Sequence, residues 1–464
     1  MFQLKANGTD AKTEIISGFT TFLTMVYIIV VNPAILSAAG VPFNTVFMAT
    51  IISAVVGTLW MALFANYPIA IAPGLGMNAY FVTVVTTQKL DYTVAFAAVF
   101  VAGLIFLLLS LTPLREKIIT AIPHNLKAGI TAGIGLFIAF LGFRMTGIIV
   151  QNDSNLVGLG NLHSPEALLA IVGLLITLIF LALNVKGALF IGMIATGIIA
   201  FFTGELKFTD GFVKLPPMPE LVFTNPIHAF SDVISHSLYA VILSFLLITI
   251  FDTTGTMIGV AKKAGLMKGE SLPNAKQALM ADAVATTVGS VFGTTPTSAY
   301  IESSAGVATG GRTGLTTLTV SILFVISAFF APLVGAVSGI SAITAPALII
   351  VGSMMIGAVK EIDWDTLDEA FPAFLVILAM PLTSSIAIGL AFGFISYPIL
   401  KVFTGKWREL NAFLIFIAIL FFILVAFLPH SAPGYFCYKE GNFNLEKDDY
   451  FVLKISFSRH YRKG

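Results

Sequence analysis

The sequence predicts an all-α polytopic membrane protein of two inverted seven-segment repeats, with the third and tenth segments broken. Three observations predict it. The 464 residues are 57% hydrophobic and only 11% charged, with a mean hydropathy of +0.95, where a soluble domain carries about 25% charged residues. Apolar runs long enough to cross a bilayer recur along the whole chain. In each half the third run is short and interrupted by Gly and Pro.

In chain order the first half reads 15–37, 43–67, a short 74–86, 92–112, 124–146, 165–183 and 186–203. The second reads 233–261, 275–292, a short 298–309, 314–336, 341–359, 369–382 and 384–402. A further run at 411–428 falls outside the pattern. The loops orient these segments. Arg115, Lys117 and Lys127 share one loop; Lys262, Lys263, Lys268 and Lys276 a second; Lys401, Lys406 and Arg408 a third. The loop "QNDSNLVGLGNLHSPEA" has no Lys or Arg and lies on the opposite side. The excess of positive charge then places the three basic loops and the N-terminus in the cytoplasm, and the long 204–229 loop outside. The polar start "MFQLKANGTDAKTE" carries no removable leader. A net charge of +1 without a basic block excludes a nucleic-acid partner, and the single Cys437 excludes a disulfide framework.

The two short segments resemble each other: "PGLGMNAYF" from Pro73 and "PTSAYI" from Pro296, with Asn78-Ala79-Tyr80 set against Ser298-Ala299-Tyr300. Gly and Pro before each argue for extended backbone leading into a half-helix, starting near Ala79 and near Ala299. An odd number of crossings per repeat turns the second copy upside-down. Inverted repeats with paired breaks are the pattern of a secondary transporter, whose site lies at the midplane where the breaks meet.

Two acids belong to that depth. Asp252 stands in "SFLLITIFDTTGTMIGVA", where a central Asp costs about 2.5–3.5 kcal/mol to insert. Its "DTTGT" echoes the "DKTGT" phosphorylation motif of ion pumps. The chain has neither the soluble domains that motif serves nor a glycine-rich phosphate loop, so that reading fails. Glu302 lies just past the second break. The bland alternative for both is satisfaction by neighbouring hydroxyls, of which Thr253, Thr254, Thr295, Ser303 and Ser304 are at hand. Asp282, in the ninth segment, reads equally as a helix-packing partner or a proton-relay member. No histidine or cysteine clusters with these acids, so no metal site is expected. Tyr80, Phe251 and Tyr300 sit where they could stack on a planar ligand.

The stretches "FTTFLTMVYIIVVNPAIL", "APGLGMNAYF", "FDTTGTMIGVAKKAGL" and "TTPTSAYIESSAGVATGGRTGLT" together resemble the guanine/hypoxanthine/adenine permeases, the purine branch of the nucleobase–cation symporter-2 family. The resemblance covers roughly residues 10–410. It implies a core domain of segments 1–4 (1–112) and 8–11 (230–336). It also implies a gate domain of segments 5–7 (113–203) and 12–14 (337–402), with a 204–229 linker outside and an atypical 403–464. It implies proton-coupled import of a purine base across the plasma membrane, with no cofactor beyond the proton gradient. Glu302, Asp252 and Asn78 match the family's substrate-binding positions, with Tyr80, Phe251, Ser298 and Tyr300 around them. Asp252, Glu302 and Asp282 are the proton-coupling candidates. The partners expected are the purine base, the lipid bilayer and a second copy of the chain as a homodimer. Neutral heteroaromatics with N–H donors call for acceptor carboxylates, which agrees.

Two departures stand out. Thr249 occupies a place where this branch commonly carries a second acid, and its hydroxyl is positioned to donate to Asp252 one turn away. The tail from His430 does not resemble the family. The alternative on the same fold is an anion transporter of the sulfate or bicarbonate type, against which Glu302 argues. Channels and membrane enzymes fit less well, for want of a pore pattern or a nucleophile–base pair.

Overall fold

The computed structural model describes residues 2–112, 121–152, 155–208, 211–223, 226–236, 238–267 and 272–427, and for residues 226, 227, 251 and 427 the backbone only. Arg115, Lys117, Lys268, Cys437 and the tail from His430 lie outside these residues.

The first span is α1 (Ala11–Met25) followed by α2 (Ile28–Leu36). Asp10 starts it by accepting the Thr13 N–H at 2.9 Å. The span is interrupted at Val26–Tyr27, an interruption the sequence pattern conceals because both flanks are apolar. Next come α3 (Phe43–Trp60), the strand β1 (Ile71–Pro73), α4 (Leu75–Gln88) and α5 (Tyr92–Leu111). The half closes with α6 (His124–Met145), the hairpin β2 (Ile149–Asn152) and β3 (Leu156–Leu159), α7 (Pro165–Ala182) and α8 (Ala188–Phe202).

The second half begins with α9 (Pro226–Ser235) and α10 (Tyr239–Lys263), then α11 (Ala275–Phe292), β4 (Thr297–Ala299) and α12 (Ser303–Ala308). It continues with α13 (Gly314–Ser327), α14 (Ala331–Ser338), α15 (Ser341–Ile356), α16 (Leu367–Leu382) and α17 (Ile386–Phe403). A last apolar helix, α18 (Ala412–Phe427), covers the extra run. Among the described residues nine helical stretches are long and apolar enough to cross a membrane.

Three expectations need correction. The run 233–261 is not one segment: α9 ends at Ser235 and α10 begins at Tyr239. There the Ser235 hydroxyl and the His236 ring both reach the Asp232 carbonyl, at 3.1 and 2.9 Å, and share it with the His236 N–H at 3.1 Å, so the last turn of α9 is closed by side chains as well as backbone. The half-helices start at Leu75 and Ser303, not near Ala79 and Ala299. The tripeptide match is also out of step with the structure. β1 and β4 pair antiparallel, Ile71 with Ala299, Ala72 with Ser298 and Pro73 with Thr297. A twofold through that pair carries residue 72 onto 298, hence Gly76 onto Glu302 and Asn78 onto Ser304. Asn78-Ala79-Tyr80 is helix, whereas Ser298-Ala299-Tyr300 is strand and turn.

The crossing of β1 and β4 is the structural hinge between the repeats. Strands at this depth must have every backbone group satisfied. Ile71 donates its N–H to Thr58 of α3 at 3.0 Å, and Thr297 donates to Thr286 of α11 at 3.0 Å, one tie per repeat. Gly57 lets α3 approach the crossing: a methyl there would fall 2.6 Å from Ile71 and 2.8 Å from Ala285.

Candidate functional site

Around the crossing, four elements bring polar side chains together. Asp252 on α10 shares a hydrogen bond with Ser298 of β4. Gly74, which precedes α4, stands against both: a methyl placed on it would be 3.2 Å from Ser298 Oγ and 3.6 Å from Asp252 Oδ2. Asp252, Tyr300 and Glu302 are mutual electrostatic neighbours. No hydrogen bond or ion pair joins either acid to a Lys or Arg among the described residues. Both acids are only partly buried, and Gly255, one turn beyond Asp252, has open space beside it. Two carboxylates that keep accessible surface inside apolar stretches are the chemistry of a site, not of a packed core.

Glu302 immediately precedes α12, and its side chain makes no bond to the start of that helix. Instead Oε1 accepts the Tyr27 hydroxyl at 2.5 Å. Tyr27 lies at the interruption of the first span. Thr24, one turn before it, donates its hydroxyl to the Glu302 carbonyl at 3.3 Å.

Asn78 is fully buried on α4. Its Oδ1 accepts the Thr295 hydroxyl, and its Nδ2 has no partner. Tyr300 donates its hydroxyl to the Pro73 carbonyl at 2.5 Å, which fastens the end of β4 to the end of β1. Tyr80 rests edge-on to Phe245, with ring centroids 4.9 Å apart. The Phe251 side chain lies outside the described residues.

Asp282 is resolved differently from the two site acids. It is fully buried on α11, with Oδ2 accepting Thr253 at 2.5 Å and Oδ1 accepting Thr297 at 2.6 Å. It therefore ties α10 to β4 through residues adjacent to Asp252 and Ser298, which is packing chemistry. Thr249 does not meet the sequence expectation. Its hydroxyl donates to the Phe245 carbonyl at 2.7 Å and approaches Met77 Sδ at 3.3 Å, so it is directed away from Asp252. A threonine inside a helix has its own i−4 carbonyl within reach, and that local partner wins.

Sequence reasoning missed Tyr27 and Glu14, and offered Thr295 as a hydroxyl for the acids where the structure gives it to Asn78. Glu14 is fully buried and receives the N–H groups of Arg312, Thr313 and Thr316 together with the Thr316 hydroxyl, so it anchors the start of α13 to α1. A lone tyrosine in the middle of an apolar span was the available signal for Tyr27. For Glu14 there was none, because an acid in the first turn of a helix is ordinary.

Two half-helices launched from crossed strands, with unpaired acids at the crossing, define a carrier of the inverted-repeat class. Comparison with known proteins agrees. The model of the permease family (Xan_ur_permease) matches residues 12–392. The guanine/hypoxanthine permease PbuO of Bacillus subtilis is 65% identical over 427 residues, covering 91% of this chain and 99% of the relative. The adenine permease AdeP of Escherichia coli is 42% identical over 431 residues, 92% of this chain and 96% of the relative. The transmembrane domain of the cyanobacterial bicarbonate transporter BicA superposes with a TM-score of 0.61 at 18% identity, over 82% of this chain and 97% of that one. At that identity the likeness establishes the shared seven-plus-seven fold alone. The chain belongs to the permease family and is an integral, multi-pass membrane transporter.

Proposed function

We propose that the chain imports purine bases, guanine and hypoxanthine with adenine, across the cell membrane, driven by the proton gradient and with no bound cofactor. The observation that carries this reading is the pair Asp252 and Glu302. Each is held by a hydroxyl, neither is joined to a cation among the described residues, and both keep accessible surface. A purine offers N–H donors along its edges, and carboxylates are the acceptors that complement them. The unpartnered Nδ2 of Asn78 supplies a donor for a ring nitrogen or carbonyl oxygen of the base. Tyr80, Ser298 and Tyr300 complete the surround, and Phe251 is assigned to it from the sequence alone. The names of the relatives, two kinds of purine permease, support the same substrate class.

Asp252 and Glu302 are the acids we assign to proton coupling, with Asp282 holding their elements in place. We assign α1–α5 and α10–α14 to a core domain that carries substrate and α6–α8 and α15–α17 to a gate. In support, α15 and α16 pack along α6, α16 packs along α17, and α11 packs along α3 and α5. The N-terminus lies in the cytoplasm by the charge of the loops, and the working assembly is a homodimer.

The test is uptake of labelled hypoxanthine by cells lacking other purine carriers, with excess adenine, guanine, xanthine or uracil as competitor. Guanine and adenine should compete, uracil should not, and a protonophore should abolish accumulation. Failure to take up any purine, or equal competition by uracil, would overturn the reading.

A further inference from the structure

We infer that Tyr27 is a positioning residue for substrate: its hydroxyl holds one oxygen of the Glu302 carboxylate so that the other is presented to the ligand. This rests on Glu302 being the acceptor for the base. Three observations carry it. Tyr27 is buried, and its hydroxyl reaches the carboxylate at 2.5 Å, the range of a charge-assisted bond. The Glu302 carboxylate is not used to cap α12, so its hydrogen bonding is not taken up by its own helix. Tyr27 also lies at the interruption between α1 and α2, where the Thr24 hydroxyl makes a second tie to the Glu302 backbone.

The arrangement fixes the direction of the acceptor before substrate arrives. A carboxylate on a glutamate side chain has three rotatable bonds, and orienting it on binding would weaken affinity. Tyr27 removes that freedom in advance. Because the tyrosine sits at the interruption of the first span, whatever engages Glu302 also bears on the geometry of that span.

The experiment compares wild type, Tyr27→Phe and, as a control whose hydroxyl bonds only its own helix and Met77, Thr249→Val, each reconstituted in lipid vesicles. Hypoxanthine uptake gives KM and the maximal rate. Infrared absorption of the ligand-free protein gives the Glu302 carboxyl band, assigned by its disappearance in Glu302→Gln. Tyr27→Phe should raise KM about tenfold or more, as expected for losing a hydrogen bond to a charged group, with the maximal rate within about twofold of wild type. It should also displace the Glu302 band, whereas Thr249→Val should do neither. An unchanged KM, or a fall in rate alone with the band in place, overturns the inference. If wild type takes up no hypoxanthine, the purine reading falls and the band decides alone: unmoved in Tyr27→Phe, it removes Tyr27 from the role. Should Tyr27→Phe not fold, 3-fluorotyrosine at position 27 keeps the ring and strengthens the donor. The band must then move in the opposite sense, and a stationary band overturns the proposal.

Discussion

Two regions of this molecule bury carboxylates, and they do so in opposite ways. At the end of α17, Lys401 is almost wholly enclosed, its side chain 2% exposed, and its Nζ touches Asp368 at 2.8 Å, Glu369 at 2.7 Å and Glu409 at 2.6 Å. Lys406 adds a second cation on Asp368 at 2.9 Å. Tyr397 and Asn125 donate to Glu369 at 2.9 and 2.8 Å. The three acids are grouped as a metal site would group them, but the ammonium of Lys401 fills the centre. At the strand crossing, Asp252 and Glu302 have no cation beside them among the described residues and are held by Ser298 and Tyr27. Desolvated charges that are paired and saturated fasten helices together, while charges left short of partners beside open space are available to a ligand or a proton. Asp282 and Glu14 side with the first kind: hydroxyls occupy both oxygens of Asp282, and N–H groups and a hydroxyl those of Glu14. Burial alone does not separate scaffold from site; the supply of partners does.

The contrast can be broken most directly at Glu302. Glu302→Gln should abolish purine uptake with expression and thermal stability near wild type, because the amide still accepts from Tyr27 while one acceptor oxygen becomes a donor. The lost bond is worth about 1.5–3 kcal/mol. Normal transport would remove Glu302 from the site. Asp252→Asn should eliminate accumulation against a gradient but preserve exchange of labelled for unlabelled base. If accumulation survives, the comparison collapses, and if exchange is lost as well, Asp252 contacts the base itself.

The scaffold side predicts the reverse profile. Lys401→Met leaves Asp368 and Glu369 without their shared cation, and removing one partner from a buried ion pair typically costs about 3–5 kcal/mol. The detergent-solubilised variant should melt at markedly lower temperature, yet the fraction that remains folded should bind hypoxanthine with wild-type affinity. Weakened affinity with unaltered melting would place the cluster in the transport mechanism instead. The smallest effect is expected at Thr249. Thr249→Val removes a bond to its own helix, worth about 1 kcal/mol or less, and should leave the dependence of uptake on pH superimposable on wild type. A displaced profile would mean that Thr249 is coupled to Asp252 after all.

Much of this was legible before any coordinates. The spans at 92–112, 124–146 and 275–292 agree with the helices within a residue or two, because a bilayer admits little else. The anomalous acids at 252 and 302 were legible for the same reason, since charge inside an apolar run is conspicuous. The break in each half was visible from Gly and Pro, but its form was not. β1 and β4 are three residues each, too short to show alternation, and each finds its partner in the opposite repeat. The matching tripeptides gave the right architecture from a correspondence that the pairing register does not support.

The sequence by itself determined that the chain crosses a membrane repeatedly, that it does so as two inverted halves, and which residues are chemically out of place there. Hydropathy and charge act locally along the chain, so a linear reading suffices for them. Only the tertiary structure decided which of those residues are saturated. Asp282 meets Thr297 from the neighbouring strand, Glu14 meets the start of α13, and Glu302 meets Tyr27 from the first span. Thr249 bonds the carbonyl of its own helix in preference to Asp252. Hydrogen bonds are directional and short in range, so whether a buried acid is spent or free depends on which distant segment the fold delivers to it.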